Sequence, residues 1–173
     1  MDKMKAASRT PRDEAFFFFF LRFLSGVAAI FTATYALLAV ILHSVLVAKM
    51  FGCAAVLLLA MLAALRFMVL RQFETGVLIT GGGVLLACLL TEIFVSINSG
   101  VLGLTILVAV LLVAPHVEGK RLRWFIVAAT LDGLLISLYD LRVGDLLLKQ
   151  PPMIRYLNVA VQTAVLGISA VLL

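Results

Sequence analysis

The sequence predicts an all-α integral membrane protein, a bundle of six transmembrane helices, and three observations carry that reading. Of 173 residues, 64% are hydrophobic and 13% charged, where a soluble domain runs at roughly 45–50% and about 25%. A soluble fold of this size leaves too much surface exposed to hide so much apolar material. The apolar residues fall into six runs near the length of about 20 that a membrane-crossing helix needs. The charges, 14 Lys plus Arg against 9 Asp plus Glu, gather at the ends of those runs, so they point to orientation in a bilayer and not to nucleic acid.

Residues 1–15 read as a cytoplasmic N-terminal segment and 16–173 as one transmembrane domain. Thr10, Pro11, Asp13 and Glu14 have the makings of a helix start: a hydroxyl cap, proline in the first turn and acids at the positive end of the helix dipole. Phe16 to Phe20, followed by Arg22, place aromatic rings at the membrane surface, where they face lipid or form an aromatic ligand box. The run is too long for a signal-peptide core, so the first helix, 18–42, is expected to be retained.

The second and third helices are expected over 45–65 and 75–97. The third contains Gly81, Gly82 and Gly83, which loosen a helix or permit very close packing. Cys88, Glu92, Ser96 and Ser99 then recur at helical spacing as one polar stripe. The fourth helix is expected over 100–117 and the fifth over 124–139. Asp132 lies midway along the fifth, with Ala128, Ala129 and Gly133 offering a small-residue surface to a neighbour. The connection that follows, "DLRVGDLLLKQPP", is the longest; its Leu146, Leu147 and Leu148 read as a short amphipathic piece on the outer surface, a connector or a ligand lid, ended by Pro151 and Pro152. The sixth helix, 153–173, carries Asn158, Gln162 and Ser169.

Counting basic residues sets the orientation. An N-terminus in the cytoplasm gathers Lys3, Lys5, Arg9, Arg12, Arg22, Arg66, Arg71, Lys120, Arg121 and Arg123 on the inner side, against Lys49, Arg142, Lys149 and Arg155 outside. The predicted topology is therefore N-in and C-in. Arg22, Arg121, Arg123 and the sole tryptophan, Trp124, serve as anchors at the inner interface.

A carboxylate at the bilayer centre costs about 2.5–3.5 kcal/mol on insertion scales, so it faces other helices or water, or is protonated. Two readings stand for Glu92 and Asp132. Either they line a common polar interior with Asn158 and Gln162, or each is satisfied separately by neighbouring hydroxyls and amides that hold the bundle in register. Cys53 and Cys88 sit in apolar runs and imply neither a disulfide nor a metal site. His43 and His116 are expected near opposite membrane faces, which disfavours a bis-histidine haem. No lysine lies within an apolar core to form a retinal Schiff base, and no P-loop, HExxH, CxxC or GxSxG occurs. No enzyme, metal site or cofactor is expected.

From the fourth helix onward, "APHVEGKRLRWFIVAATLDGLLISLYDLR" and "PPMIRYLNVAVQT" show an inner turn of glycine and two basic residues, a helix ending in "LYDL", a proline-containing outer loop and a last helix with an aromatic near its start. This pattern resembles the N-terminal six-helix membrane domains of bacterial multidomain signalling proteins, sensor histidine kinases in particular. The resemblance implies a sensory or anchoring domain of the bacterial inner membrane, dimeric or joined to partner membrane subunits, with catalysis in cytoplasmic modules. The run ends at Leu173 with no charged residue after the sixth helix, so a fragment of a longer signalling protein and a stand-alone bundle both remain open. The alternative is an accessory transmembrane subunit of a larger energy-converting complex. A small transporter or proton relay using Glu92 and Asp132 is a third reading, against which stands the lack of an inverted repeat.

Overall fold

The computed structural model describes residues 11–95 and 99–147, and every regular element among them is an α-helix. They are α1 (Pro11–Leu42), α2 (Val45–Val69), α3 (Phe73–Val95), α4 (Ser99–Val113) and α5 (Gly119–Leu147). Four of these are long and apolar enough to cross a membrane, over Glu14–Leu42, Val45–Val69, Phe73–Val95 and Gly119–Tyr139, while Leu102–Val113 is a shorter apolar helix. The chain thus forms a multi-pass helical bundle with lipid as the solvent for its outer faces. The expected sixth helix lies outside the described residues.

Several helix ends differ from the expected spans: α2 runs on to Val69 and α5 starts at Gly119, where 65 and 124 are expected, and three further ends have a local reason. Helix α1 begins at Pro11, ahead of the expected span of 18–42 but at the proline read from sequence as part of a helix start, since a proline in the first turn loses no helical hydrogen bond; the expected Thr10 cap lies outside the described residues. Helix α4 stops at Val113 instead of 117. Pro115 lacks an N–H and disfavours helical geometry at Ala114, so the chain turns there, with the N–H groups of His116 and Val117 both donating to the Val113 carbonyl at 3.0 and 3.1 Å. Its 15 residues span about 22 Å, short of a hydrocarbon core of about 30 Å. Helix α5 runs on to Leu147 as one element of 29 residues, where the sequence reading ended it at 139 and began a surface connector. No proline interrupts 140–147, so the helix has no reason to stop; Leu148 to Pro152 lie outside the described residues.

Connections between helices are tight. Only His43 and Ser44 separate α1 from α2, and His43 takes a left-handed conformation with φ of 46°. Arg71 does the same between α2 and α3, with φ of 60°. Consecutive helices are therefore antiparallel, and contacts between alternate helices confirm the parallel ones. Arg121 meets Glu74 near the starts of α5 and α3, and Tyr139 meets the Ile93 carbonyl near their far ends.

Helix α3 is the hub, packed against α2, α4 and α5, while α1 packs on α2. Small residues bring α2 close along one face of α3. A Cβ at Gly76 would lie 2.7 Å from the Met68 Cγ and 3.0 Å from the Ala64 carbonyl oxygen, and one at Gly83 would collide with the Ala60 side chain. Thr80, buried between them, satisfies its hydroxyl by donating to the Gly76 carbonyl at 2.9 Å. On another face Gly81 admits Val113 of α4 and Phe125 of α5, the latter 2.7 Å from where its Cβ would be. Without a hydrophobic force between helices in lipid, such close backbone approach is what makes their association favourable.

Candidate functional site

The two acids singled out from sequence are both buried. Helix α5 presents Phe125, Ala129, Asp132 and Ile136 at i, i+4, i+7 and i+11, all buried, which is the stripe that a helix turns toward its neighbours. Asp132, 7% exposed, occupies the middle of that otherwise apolar stripe. Helix α3 presents Gly81, Leu85, Cys88 and Glu92 in the same way, and Glu92 is 2% exposed. Of the predicted polar stripe on α3, Cys88 and Glu92 share this buried face, while the side chains of Ser96 and Ser99 lie outside those described.

The register between α3 and α5 sets the depth of each acid. The Arg121–Glu74 contact at 3.3 Å and the Tyr139 hydroxyl donating to the Ile93 carbonyl at 3.2 Å fix the two helices at both ends. Interpolation puts Asp132 level with Leu85 or Leu86, about six residues below Glu92, which is about 9 Å of helix rise. Cys88 falls between them on the buried face of α3. Asp132, Cys88 and Glu92 therefore form a polar column in the α3–α5 seam, running from mid-helix toward the α3 C-terminus.

Asp132 sits in this seam with little polar company among the described residues. Its Oδ2 is buried and has no hydrogen-bond partner among the described residues. The neighbouring hydroxyls are committed within their own helix: Thr130 donates to the Ile126 carbonyl at 2.9 Å and Ser137 to the Gly133 carbonyl at 2.7 Å. This back-bonding is the usual resort of Ser and Thr in an apolar helix, and it commits both hydroxyls away from the acid. Ile106 of α4 closes the seam beside Gly133.

Asn158 and Gln162 lie outside the described residues. Among the anchors, Trp124 is 73% exposed, and Arg22, Arg121 and Arg123 are exposed as well. The phenylalanine run divides: Phe16 and Phe19 face outward, whereas Phe17 is buried. Phe17 belongs to a cluster that the sequence reading missed, with its ring 5.5 Å from Phe73 and 4.9 Å from His116, and Phe73 5.5 Å from His116. The signal for it was faint: Phe17, Leu21, Ser25 and Thr32 continue one helical stripe, and all are buried. His43, at the far end of α1, is at the opposite end of the bundle from this cluster.

One further feature is a groove of about 190 Å³ lined by Tyr35 of α1, by Met50, Cys53, Ala54 and Leu57 of α2, and by Ala87, Thr91 and Val95 of α3. Its one hydroxyl on α3, that of Thr91, donates to the Ala87 carbonyl of its own helix. Among the described residues no group of His, Cys, Asp and Glu is placed to hold a metal ion. No protein-family model, curated protein or solved structure matches the chain.

Proposed function

We propose that this chain is a membrane-embedded sensory or anchoring domain, without catalysis of its own, that couples to a cytoplasmic output module. The observation that carries the reading is Asp132, a buried carboxyl in the middle of an apolar helix seam, one of whose oxygens has no hydrogen-bond partner among the described residues. Membrane helices rarely keep such a group, which costs about 2.5–3.5 kcal/mol on insertion scales, unless it has a role. A seam interrupted in this way is poorly matched to one packing and well suited to two, differing by a few kcal/mol, between which a stimulus selects. In this reading Glu92, Asp132, Asn158 and Gln162 share the polar interior, and the bundle lies in a bacterial inner membrane with the starts of α1, α3 and α5 on the cytoplasmic side. The resemblance to sensor-kinase membrane domains supports the same role.

The test is a distance measurement between spin labels at Phe94 of α3 and Leu138 of α5, both exposed positions, in bilayers of short and of long acyl chains. Two distances whose populations shift with bilayer thickness, collapsing to one in Asp132→Leu, are the expected result. A single distance, unmoved by bilayer or substitution, would refute the sensory reading.

A second reading is favoured by the outer face of α1, where Phe19, Phe23, Ile30, Leu37 and Ile41 are all exposed. Such a face suits an accessory subunit packed among partner helices of a larger complex, or the interface of a homodimer, as well as it suits lipid. Stoichiometric recovery with other membrane subunits in mild detergent would mark the accessory role, and recovery as a dimer of this chain alone would count against it.

A further inference from the structure

We propose that the end of the bundle formed by the α2–α3 and α4–α5 turns is a binding site for the headgroup of an anionic phospholipid. The α2–α3 turn carries Arg71, and the start of α5 carries Lys120, Arg121 and Arg123, all exposed. The carboxylates within these two segments are Glu74 and Glu118, so four cations there stand against two acids. Glu74 is 3.3 Å from Arg121, which ties the two basic segments together rather than dispersing them.

What distinguishes this end from a scatter of surface charge is that its turns are held rigid. The N–H groups of Arg71 and Gln72 donate to the Met68 and Phe67 carbonyls at 3.0 and 2.9 Å. His116, in the α4–α5 turn, packs its ring on Phe73 at the start of α3 and on Phe17 of α1. Left-handed residues, Arg71 and Gly119, set the direction in which each basic segment leaves its turn. The cations are thus presented from a fixed frame.

The surface beside them suits the rest of a lipid. Trp124 follows directly and is exposed, as are Leu131, Leu135 and Leu138 along the same side of α5. An indole at the depth of the headgroups, above a stripe of leucines, matches a phospholipid lying along α5 with its phosphate at the helix start. Among the described side chains the far end of the bundle carries a single Lys or Arg, Lys49 of α2. The inference requires only that the bundle sits in a bilayer, so it stands or falls separately from the sensory reading.

The experiment is delipidation of the detergent-purified protein followed by addition of phosphatidylglycerol or phosphatidylcholine of identical acyl chains, read by lipid adducts in native mass spectrometry. Each cation near a charged lipid surface contributes about fivefold in binding, so phosphatidylglycerol should be retained at least about fivefold over phosphatidylcholine. The preference should fall toward parity in Arg71→Gln/Arg123→Gln and survive in Lys49→Gln. The charge-conserving Arg71→Lys/Arg123→Lys should keep it, and serves as the decisive variant if the glutamine pair does not fold. Equal retention of both lipids, or a preference lost in the lysine pair or in Lys49→Gln, would overturn the proposal. So would free inorganic phosphate displacing phosphatidylglycerol at matched concentration, since the site would then be one for phosphate and not for a lipid.

Discussion

At the residue scale, Asp132 and Glu74 are both acids on helices of this bundle, yet their burial predicts opposite responses to substitution. Removing a buried polar group that has no partner relieves a cost, whereas removing one member of a satisfied pair exposes one. Asp132 has a buried oxygen with no hydrogen bond among the described residues. Asp132→Leu should therefore leave the melting temperature in detergent unchanged or raise it, by the equivalent of about 1 kcal/mol, and the isosteric Asp132→Asn should change it by less. A loss of more than about 2 kcal/mol in both variants would mean that the carboxyl holds a hydrogen bond essential to the fold. Glu74, by contrast, faces Arg121 at 3.3 Å with both side chains substantially exposed. Exposed pairs are screened and entropically costly, so Glu74→Gln should cost no more than about 0.5 kcal/mol in the same melt. The Tyr139 hydroxyl, donating to the Ile93 carbonyl, is a satisfied polar group, and Tyr139→Phe should cost about 0.6 kcal/mol, the average for polar contacts within membrane bundles.

At the scale of elements, helix α3 shows what sequence could and could not deliver. Its apolar length and its three consecutive glycines were plain in the chain, and close packing was one of the two uses those glycines allowed. Which glycine faces which helix was not legible, because that depends on the rotation of α3 against three neighbours at once. The structure separates them: Gly83 abuts Ala60 of α2, Gly81 abuts α4 and α5, and a Cβ on Gly82 would meet nothing within 4 Å. Adjacent positions of identical chemistry should consequently respond differently. Gly83→Ala forces α2 away from α3 and should destabilise by about 1–3 kcal/mol, as overpacking does. Gly82→Ala should be neutral or stabilise by up to about 1 kcal/mol, since alanine is the better helix former and nothing obstructs it. Unfolding both variants in the same detergent with increasing dodecyl sulfate checks the pair; equal losses would mean that the α2–α3 seam is looser than the backbone approach implies. The helix ends teach a related lesson. Pro115 ended α4 early through a backbone rule that the sequence already contained, but hydropathy alone extended the span past it. The charges of 140–147 looked like a loop, although charge at a membrane surface does not break a helix and no proline does so there.

At the scale of the whole molecule, the alternation of the helices is fixed by contacts at both ends, and orientation in the bilayer is a separate question that the charge balance addresses. Composition alone made the membrane class and the up-and-down pattern legible, because the bilayer enforces a length and a periodicity on every span. The column of Asp132, Cys88 and Glu92 was half legible: the acids stood out as costly, but their depth difference of about 9 Å follows only from the α3–α5 register. Orientation can be read chemically, and the protein's own cysteines make the experiment clean. Cys53 and Cys88 are both buried, so a membrane-impermeant maleimide should find little background. Ser44→Cys, in the α1–α2 connection, and Gln72→Cys, in the α2–α3 connection, then stand at opposite ends of α2. With the basic turns inside, Ser44→Cys should be labelled in intact cells and Gln72→Cys only after lysis. The excess of cations around Arg71 and Arg121 acts on insertion mainly through the short loops that carry them, so replacing Arg66, Arg71, Lys120 and Arg123 together with glutamine should weaken that outcome and yield a mixed population. The reverse labelling in the unsubstituted background would place the lipid-binding rim on the outer leaflet, and labelling of both positions from one side would be incompatible with α2 crossing the bilayer at all.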